Sequence, residues 1–248
     1  MKPVSIIIPT LNEERYLPRL LDSIFCNAIG SVVQIIIVDG GSTDATLDVV
    51  RRYTNDAPTG ATIQLFCTNL RNIALQRNLG AEHALHDLLI FFDADVRIPL
   101  GHTIAQFIEL FETRGCVCAS CWFTSIESDW KGKFTYYFWT QFTRLMQYYS
   151  PNVLGACIIT TRSIFQRCKG FDATITIGED ANFCFRSMQF GRFRILPVVI
   201  EVSARRFRKH GYCVMWFEYI KIFLIRTVYG EYRIPSSQRY GFGDYADP

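Results

Sequence analysis

The apolar run Leu88–Phe92, which ends directly in Asp93-Ala94-Asp95, constrains the fold more than any other segment of this chain. An uninterrupted apolar run of this kind is typical of a strand buried on both faces of a parallel sheet. Two carboxylates then leave the sheet at its carboxyl edge, where open α/β sheets bind ligands. Mg²⁺ and Mn²⁺ prefer oxygen ligands, and Mg²⁺ is often held by carboxylates together with substrate phosphates. The segment therefore predicts a metal and diphosphate site, although acids here would also suit a helix cap.

The first half of the chain alternates apolar runs with helical patterns, which predicts βαβ units around a parallel sheet. We predict strands over residues 4–8, 34–38, 63–66 and 88–92, and a helix over 73–85. A helix should also begin near Tyr16, because Pro18 is tolerated only in a first turn. Ser42 or Thr43 is the expected N-cap of the helix that follows the strand over residues 34–38.

The second half is less regular, with helices expected over residues 101–114, 134–149 and 178–190. Strands are expected over 117–123, 153–160 and 195–202, and Pro197 predicts that the last of these lies at a sheet edge. No linker rich in Pro, Gly or Ser separates the halves. We therefore expect one domain, in which the first half binds a nucleotide and the second supplies the site of the other substrate.

Composition excludes several classes of protein. Lys and Arg number 26 against 23 Asp and Glu, so the net charge of +3 gives no bulk signal for nucleic-acid binding. Nine cysteines without a secretory segment at the start favour a reducing cytosol and buried free thiols. Cys116, Cys118 and Cys121 lack the paired spacing of zinc ligands and are expected to pack in a strand. No stretch is long and uncharged enough to span a bilayer.

Further polar residues should meet the acid pair at the same sheet edge. The turn over residues 10–13 and the turn that begins at Asp39 both follow predicted strands. Asp39 would accept hydrogen bonds from a ribose or base, or would simply form the turn with Gly40. Arg71, Arg77 and Asn78 lie in or beside the helix before the acid pair. Gly80 within that helix costs about 1 kcal/mol against Ala, which indicates a packing or ligand requirement.

Two charged segments follow later in the chain. Glu179 and Asp180 begin a predicted helix, where acids suit the helix dipole, but a carboxylate there could also act as the general base that deprotonates a hydroxyl. The basic run of Arg205, Arg206, Arg208 and Lys209 is either a solvated face or a clamp that neutralises a diphosphate leaving group.

Taken together these segments resemble the family-2 glycosyltransferases. Ser5 to Glu14 resembles the opening strand and turn of that family, and Ile36 to Asp44 its second strand and turn, with Gly40 where many members have a second Asp. Arg77 to Ala81 resembles the stretch before the metal motif, and Asp93-Ala94-Asp95 matches D-x-D. Gly170-Phe171-Asp172 and Gly178-Glu179-Asp180 resemble the later acidic region, with Lys169 where a first Gly is common. Ser203 to Phe207 resembles a basic segment of some members.

The resemblance implies an α/β, GT-A-like (Rossmann-like) fold. Its mostly parallel central sheet would be flanked by helices, as one domain with a C-terminal helical extension. The domain would cover residues 1–210, with a nucleotide-binding half over about 1–98 and an acceptor-binding half over about 99–210. Residues 211–248 would form an amphipathic, aromatic helix and tail.

The resemblance also implies the activity, which is metal-dependent, inverting transfer of a sugar from a UDP- or GDP-linked donor to a hydroxyl acceptor, lipid- or glycan-linked. Asp180 would be the base, with Glu179 as the alternative, and Asp93 and Asp95 would hold Mg²⁺ or Mn²⁺. The expected nucleotide-sugar-binding residues are Pro9, Thr10, Leu11, Glu13, Asp39, Gly41, Arg71, Arg77, Asn78, Asp93, Ala94, Arg205 and Arg206.

Two alternatives remain open from the sequence. An inactive or regulatory nucleotide-sugar-binding module would be expected to lack Asp180 or the D-x-D motif, and both are present. A haloacid-dehalogenase-like phosphatase also places D-x-D after an apolar strand, but with Thr or Val where this chain has Arg97, and near the start of the chain. A binding test without turnover would identify the inactive module.

Aromatic residues are crowded over 134–149 and again over 216–229. Tyr and Trp suit membrane interfaces, but aromatic residues also dominate cores and subunit contacts. The segment 214–229 is accordingly expected to form a helix that contacts a membrane surface peripherally, on its cytoplasmic side, or mediates a homo-oligomer, with core packing as the plain alternative.

Overall fold

The computed structural model describes residues 2–27, 33–127, 129–151, 153–175 and 177–229. Its strands are β1 (Val4–Thr10), β2 (Val33–Asp39), β3 (Ala61–Cys67), β4 (Leu88–Phe92), β5 (Val96–Arg97), β6 (Cys118–Ser125), β7 (Cys157–Thr161) and β8 (Phe193–Val202). In the described part of the chain they form one eight-stranded sheet in the order β3-β2-β1-β4-β7-β6-β8-β5.

The central strands β1, β2 and β4 run parallel and are buried on both faces. Every residue of β1, β2 and β4 is buried, as expected for strands covered on both sides by helices. β1 pairs in parallel with β2 and β4, whereas β7 is antiparallel to both β4 and β6. The register aligns Thr10 with Asp39, so the turns after β1 and β2 leave the sheet at one level. The predicted mostly parallel α/β fold is confirmed.

Helices cover both faces of this sheet. They are α1 (Leu17–Asn27), α2 (Thr46–Asn55), α3 (Ile73–Glu82), α4 (Ile104–Thr113), α5 (Trp130–Met146), α6 (Arg162–Arg167), α7 (Glu179–Ser187), α8 (Arg205–His210) and α9 (Tyr212–Tyr229). One core layer joins Ile6 and Ile8 to apolar residues of α1, α2, α4 and α5. The opposite layer joins Ile7 to α3, α6 and α7. Adjacent residues of β1 thus point to opposite layers, as the period of a strand requires.

Two predictions about helix starts had different outcomes. α1 begins at Leu17, with Pro18 in its first turn, close to the predicted Tyr16. The prediction that Ser42 or Thr43 caps the next helix is wrong, because α2 begins at Thr46 after Ala45, which makes no side-chain cap. The Ser42 hydroxyl donates instead to Asp39 Oδ1. The Ser42 side chain therefore stabilises the turn after β2 and does not cap α2.

The prediction that Pro197 marks a sheet edge holds locally. β5 pairs only with Glu201 and Val202 at the end of β8, whereas β6 pairs with β8 on both sides of Pro197. The register between β6 and β8 shifts after Cys121, which faces Leu196, to Trp122, which faces Val199. Pro197 lies within that bulge, where the residue is not part of the hydrogen-bond ladder, so the lack of a backbone N–H in proline costs no hydrogen bond. Other differences are small: α5 begins at Trp130 after Asp129, which accepts from Gly132 N, and β7 is shorter than predicted.

The last described helix, α9, occupies the segment for which a separate helix was predicted. Within the described residues no helix is both long and apolar enough to cross a bilayer. The predicted tail after residue 229 lies outside the described residues. The proposed division at residue 210 remains a prediction.

Candidate functional site

The site lies at the carboxyl edge of β1, β2 and β4. Asp39 is buried there, and its Oδ2 accepts hydrogen bonds from Gly41 N at 2.9 Å and Ser42 N at 2.8 Å. Its Oδ1 accepts from the hydroxyls of Ser42 at 2.5 Å and Thr10 at 3.2 Å. Both carboxylate oxygens therefore hold the loop after β2 in shape, and Gly41 in this loop has a φ of +91°.

Gln76 fastens this loop from the adjacent helix α3. Its amide nitrogen donates to Thr10 O at 2.9 Å and to Val38 O at 2.8 Å, across the ends of β1 and β2. A Cβ at Gly40 would lie 2.9 Å from that nitrogen, so Gly40 leaves the space that Gln76 occupies. Gln76 was not among the residues predicted from the sequence. Its burial depends on how α3 packs against the sheet, which no local pattern indicates.

Close packing explains the glycine of α3. A Cβ at Gly80 would overlap Ile7 Cγ2 in β1, so its role is the close approach of helix to sheet. Asn78, two residues earlier on the same helix, donates to Phe171 O and accepts from Phe171 N, both at 2.8 Å. Its amide thus holds the loop before α7, and the nucleotide contact expected of Asn78 remains a prediction.

Arg77 is the centre of the site, and only 1% of its side chain is exposed. Its Nη2 donates to Asp93 Oδ1 at 2.7 Å and to Gly155 O at 3.2 Å, and its Nη1 donates to Glu179 Oε1 at 2.8 Å. The guanidinium also lies 5.2 Å from the centroid of the Phe171 ring. Arg77 therefore connects the D-x-D motif to the acid pair of α7, although the chain separates them widely.

The two acids of α7 differ in their surroundings. Glu179 is buried, and burial together with the neighbouring Asp180 charge raises its pKa to about 7 against the opposing charge of Arg77. Asp180 is half-buried, and its Oδ1 accepts from Ala181 N at 2.6 Å. A Cβ at Gly155 would lie 2.8 Å from Asp180 Oδ2 and 2.7 Å from Arg77 Nη2. Gly155 thus allows Arg77 and Asp180 to approach each other, and no local pattern indicated its importance.

A second arginine binds the other acids of the edge. Arg205, at the start of α8, forms ion pairs with Glu13 and, at 3.2 Å from its Nε, with Asp95 Oδ2. Its guanidinium also lies 4.5 Å from the centroid of the Tyr16 ring. Burial raises the pKa of Glu13 to about 7, since it outweighs the charge of Arg205 and is reinforced by Asp95. Burial likewise raises the pKa of Asp95, against the charge of Arg205.

The remaining predicted residues are less central. Pro9, Leu11 and Ala94 have buried side chains, so only their backbone is available to a ligand. Arg71 is exposed on the loop before α3. Arg206 is half-buried, and its Nη1 donates to the Tyr219 hydroxyl of α9 at 3.2 Å. The structure therefore brings Glu13, Asp93, Asp95, Glu179 and Asp180 together around two arginines.

The donor set suits a hard divalent cation only in part. In the residues that the structure describes, no group of three or more His, Cys, Asp or Glu side chains has metal-binding geometry. Asp93 and Asp95 are partly exposed oxygen donors, and Glu13 Oε2 is buried without a hydrogen-bond partner. Two aspartates plus substrate phosphates are a common environment of Mg²⁺. The residues therefore fit a cation that a bound diphosphate helps to hold.

A mostly parallel α/β sheet with polar side chains at its carboxyl edge is typical of proteins that bind ligands there. The family model described as glycosyl transferase family 2 matches residues 5–196, and the chain belongs to that family. This assignment sets aside the phosphatase interpretation.

Individual relatives are more distant. An undecaprenyl-phosphate 4-deoxy-4-formamido-L-arabinose transferase of Salmonella paratyphi B is 28% identical over 130 residues, which cover 47% of this chain and 37% of the relative. The chain thus spans well under half the length of such curated relatives.

Solved structures show the same fold. The mannosyltransferase PcManGT from Pyrobaculum calidifontis, in complex with GDP-Man and Mn²⁺, has a TM-score of 0.68 at 23% identity, covering 82% of this chain and 57% of that one. S. aureus TarS 1–349 has a TM-score of 0.64 at 17% identity, covering 84% of this chain and 62% of that one. It has also been solved with UDP and with UDP-GlcNAc.

Proposed function

We propose that this chain transfers a sugar from a UDP- or GDP-linked donor to a hydroxyl group of a lipid- or glycan-linked acceptor, with inversion at the anomeric carbon. The observation that carries the proposal is that Glu179 and Asp180 have different surroundings. Arg77 binds the buried Glu179, whereas Asp180 is the more exposed of the two and lies beside Gly155. Glu179 is thereby fixed inside the protein, and Asp180 is the acid of the pair that a substrate can reach more easily.

In this reaction Asp180 accepts the proton of the acceptor hydroxyl as its oxygen attacks the anomeric carbon. The bond between that carbon and the diphosphate oxygen breaks, and the nucleoside diphosphate leaves with the electron pair. A Mg²⁺ or Mn²⁺ ion held by Asp93 and Asp95 would neutralise the charge that develops on the diphosphate. Asp39, with Thr10 and the backbone of Gly41, would shape the pocket for the nucleoside.

The nucleotide and acceptor classes come from likeness to relatives. The solved neighbours bind UDP, UDP-GlcNAc or GDP-Man, which supports a nucleoside-diphosphate donor. The curated relatives are named for transfer to undecaprenyl phosphate, which supports a lipid-linked acceptor. All nine cysteines are free thiols, which favours a reducing compartment and hence the cytoplasmic side of a membrane.

Asp180→Asn tests the proposal, because Asn is nearly isosteric and is not basic. Transfer should fall by about 100-fold or more, the usual scale of general-base loss, while binding of the donor is retained. Glu179→Gln is the matched variant and should cost stability more than chemistry. Donor binding and transfer are measured separately, by thermal shift with nucleoside diphosphates and by product formation. A wild-type protein that binds the donor without turnover would instead indicate the inactive binding module.

The same variant separates a hydroxyl acceptor from a phosphate acceptor. A phosphate monoester is already largely ionised at neutral pH, since its second pKa is about 6, and it needs no base. If Asp180→Asn transfers at the wild-type rate and Glu179→Gln does not, the two acids exchange roles. If both variants stay active, no base acts here and the hydroxyl mechanism is wrong.

A further inference from the structure

Large exposed apolar side chains concentrate on one part of the molecule. Of the fifteen that the described residues contain, eleven lie on α5, on the turn directly after it, and on α9. Monomeric proteins rarely expose contiguous apolar patches, and such patches mark interaction sites. The residues are Trp130, Phe134, Tyr137, Phe138, Leu145, Tyr148, Tyr149, Val214, Phe217, Ile220 and Leu224. We call this set the aromatic face.

The two helices form one continuous surface because they pack against each other through other aromatic rings. Trp139 stacks on Trp216 with ring centroids 5.7 Å apart, and Phe142 meets Phe223 edge to face at 5.1 Å. Phe138, which belongs to the aromatic face, also lies 4.6 Å from Trp216. The predicted core packing therefore accounts for one side of α9, and the other side stays exposed.

Exposed charges on this surface are mostly basic. Helix α5 contains three exposed cations, Lys131, Lys133 and Arg144, and no acid. The described side chains of α9 contain one cation and one acid, Lys221 and Glu218, which lie 4.0 Å apart. Lys131 and Lys133 are exposed beside Trp130 and Phe134, and Lys221 is exposed between Phe217 and Leu224. Exposed cations therefore lie next to the exposed apolar side chains of the aromatic face, above all on α5.

We propose that the aromatic face docks on a lipid bilayer that carries anionic headgroups. Aromatic and aliphatic side chains next to Lys and Arg are the composition of surfaces that lie in a membrane interface, where rings enter the headgroup layer and cations meet anionic lipid. A second copy of the chain would bring the same positive charges together, which opposes self-association. Nucleic acid would satisfy the lysines but would leave Phe217 and Leu224 in water.

The surface adjoins the candidate site, and this part of the argument rests on the proposed transfer to a lipid-linked acceptor. The Tyr136 hydroxyl of α5 donates to Ser203 O at 2.9 Å, and Ser203 N donates to Asp95 O at 3.1 Å. Arg205, which pairs with Asp95, begins α8, and Phe207 of α8 stacks on Tyr212 of α9 at 5.6 Å. A bilayer under α5 and α9 would therefore bring an acceptor that projects from it close to the acidic edge.

Vesicle flotation of the full chain tests the proposal, with phosphatidylcholine alone and with phosphatidylcholine mixed with phosphatidylglycerol. The wild type should float with the mixed vesicles. Each basic residue near an anionic leaflet favours binding about fivefold, so Lys131→Gln with Lys133→Gln should weaken binding to mixed vesicles by about 30-fold. Arg114→Gln, an exposed cation at the end of α4, is the matched control and should bind like the wild type.

Phe217→Ser tests the apolar contribution, since Phe217 is 74% exposed and its loss should not disturb folding. Binding should fall by about tenfold or more, as expected when a buried Phe contact is lost. Leu100→Ser, at a site that is 91% exposed outside the aromatic face, is the control. Equal binding of Phe217→Ser and wild type would overturn the proposal. A wild type that binds neither kind of vesicle would also overturn the proposal. Light scattering would then show whether the protein is a monomer or a dimer that Phe217→Ser dissociates.

The failure of this proposal is distinguishable from failure of the proposed function. Transfer to a short, water-soluble acceptor depends on Asp180 and should be the same for Phe217→Ser and the wild type. Loss of vesicle binding with such transfer intact supports docking as a separate property. A wild type that transfers sugar but never binds vesicles overturns the docking surface alone.

Discussion

The Arg77 guanidinium donates to Glu179 Oε1 at 2.8 Å and so ties α3 to the first turn of α7, 102 residues further along the chain. The same guanidinium donates to Asp93 Oδ1 at 2.7 Å. One buried cation therefore fixes the distance between the D-x-D motif and the acid pair. We interpret Arg77 as a positioning residue and not as a direct contact to the nucleotide sugar.

Substitution of Arg77 should separate stability from chemistry. Arg77→Ala leaves buried carboxylates without their partner and is expected to lower the free energy of unfolding by about 3–5 kcal/mol. Arg77→Lys keeps the charge but not the planar fork that reaches both acids. The Arg77→Lys variant should fold, but its kcat should be about 10- to 100-fold lower. That is the usual effect of removing a residue that hydrogen-bonds to a metal ligand. Urea unfolding and transfer assays measure the two effects.

Arg114→Ala is the control for the Arg77 variants, because Arg114 is exposed at the end of α4 and is not one of the site residues. It should change neither the unfolding free energy nor kcat. Wild-type kcat in Arg77→Lys, together with wild-type stability in Arg77→Ala, would show that Arg77 does not organise the site.

Gly155→Ala should impair turnover because the new methyl group has no space. Its Cβ would lie 2.7 Å from Arg77 Nη2 and 2.8 Å from Asp180 Oδ2, so one of these side chains must move. We expect kcat to fall by about tenfold or more, since small displacements of catalytic groups cost much of the rate. Gly191→Ala is the matched variant, because its Cβ would meet Val117 at 2.5 Å and no site residue. It should lower stability but leave the kcat of folded protein unchanged, and the same pattern in Gly155→Ala would contradict our interpretation.

The strands of the first half and the acids after β4 could be predicted because their signals are local. The apolar run of β4 and the acids after it are contiguous, and β4 was predicted with the bounds observed. The partners of Arg77 and Arg205 were not predictable, because no local pattern records which carboxylate a distant arginine will meet. Pro197 shows the same limit, because it indicated an edge position but could not indicate the bulge in which it lies or the short β5 that pairs with the end of β8.

The pKa of Glu13 predicts how stability depends on pH. Burial raises the pKa of Glu13 from 4.5 to about 7 in the folded protein, so the folded state holds this proton where the unfolded state has lost it. The contribution of Glu13 to stability is therefore fully present below about pH 4.5 and is lost as the pH rises through about 7. Glu13→Gln removes this dependence. The stability of the variant relative to the wild type should increase between pH 4.5 and pH 7, by an amount on the order of 1 kcal/mol or more.

Urea unfolding at several pH values measures the effect of Glu13→Gln, and Glu14→Gln is its control. Glu14 is more exposed, and its carboxylate accepts from Ala45 N. A relative stability of Glu13→Gln that is constant or falls between pH 4.5 and pH 7 would show that Glu13 titrates normally.

The D-x-D motif predicts that donor binding and turnover need a divalent cation held by Asp93 and Asp95. EDTA should abolish transfer by the wild type, and Mn²⁺ or Mg²⁺ should restore it. Asp95→Asn keeps the shape of the side chain but weakens the ligand, because a hard cation prefers a carboxylate. Thermal shift gives an independent readout, since a nucleoside diphosphate at about 100 times its Kd stabilises by about 2.7 kcal/mol. That shift should require the cation in the wild type and be largely lost in Asp95→Asn, whereas Asp48→Asn, in the exposed pair with Arg51, should behave like the wild type. Wild-type activity and nucleotide shifts that are indifferent to EDTA would mean that Arg205 and its neighbours hold the diphosphate without a metal.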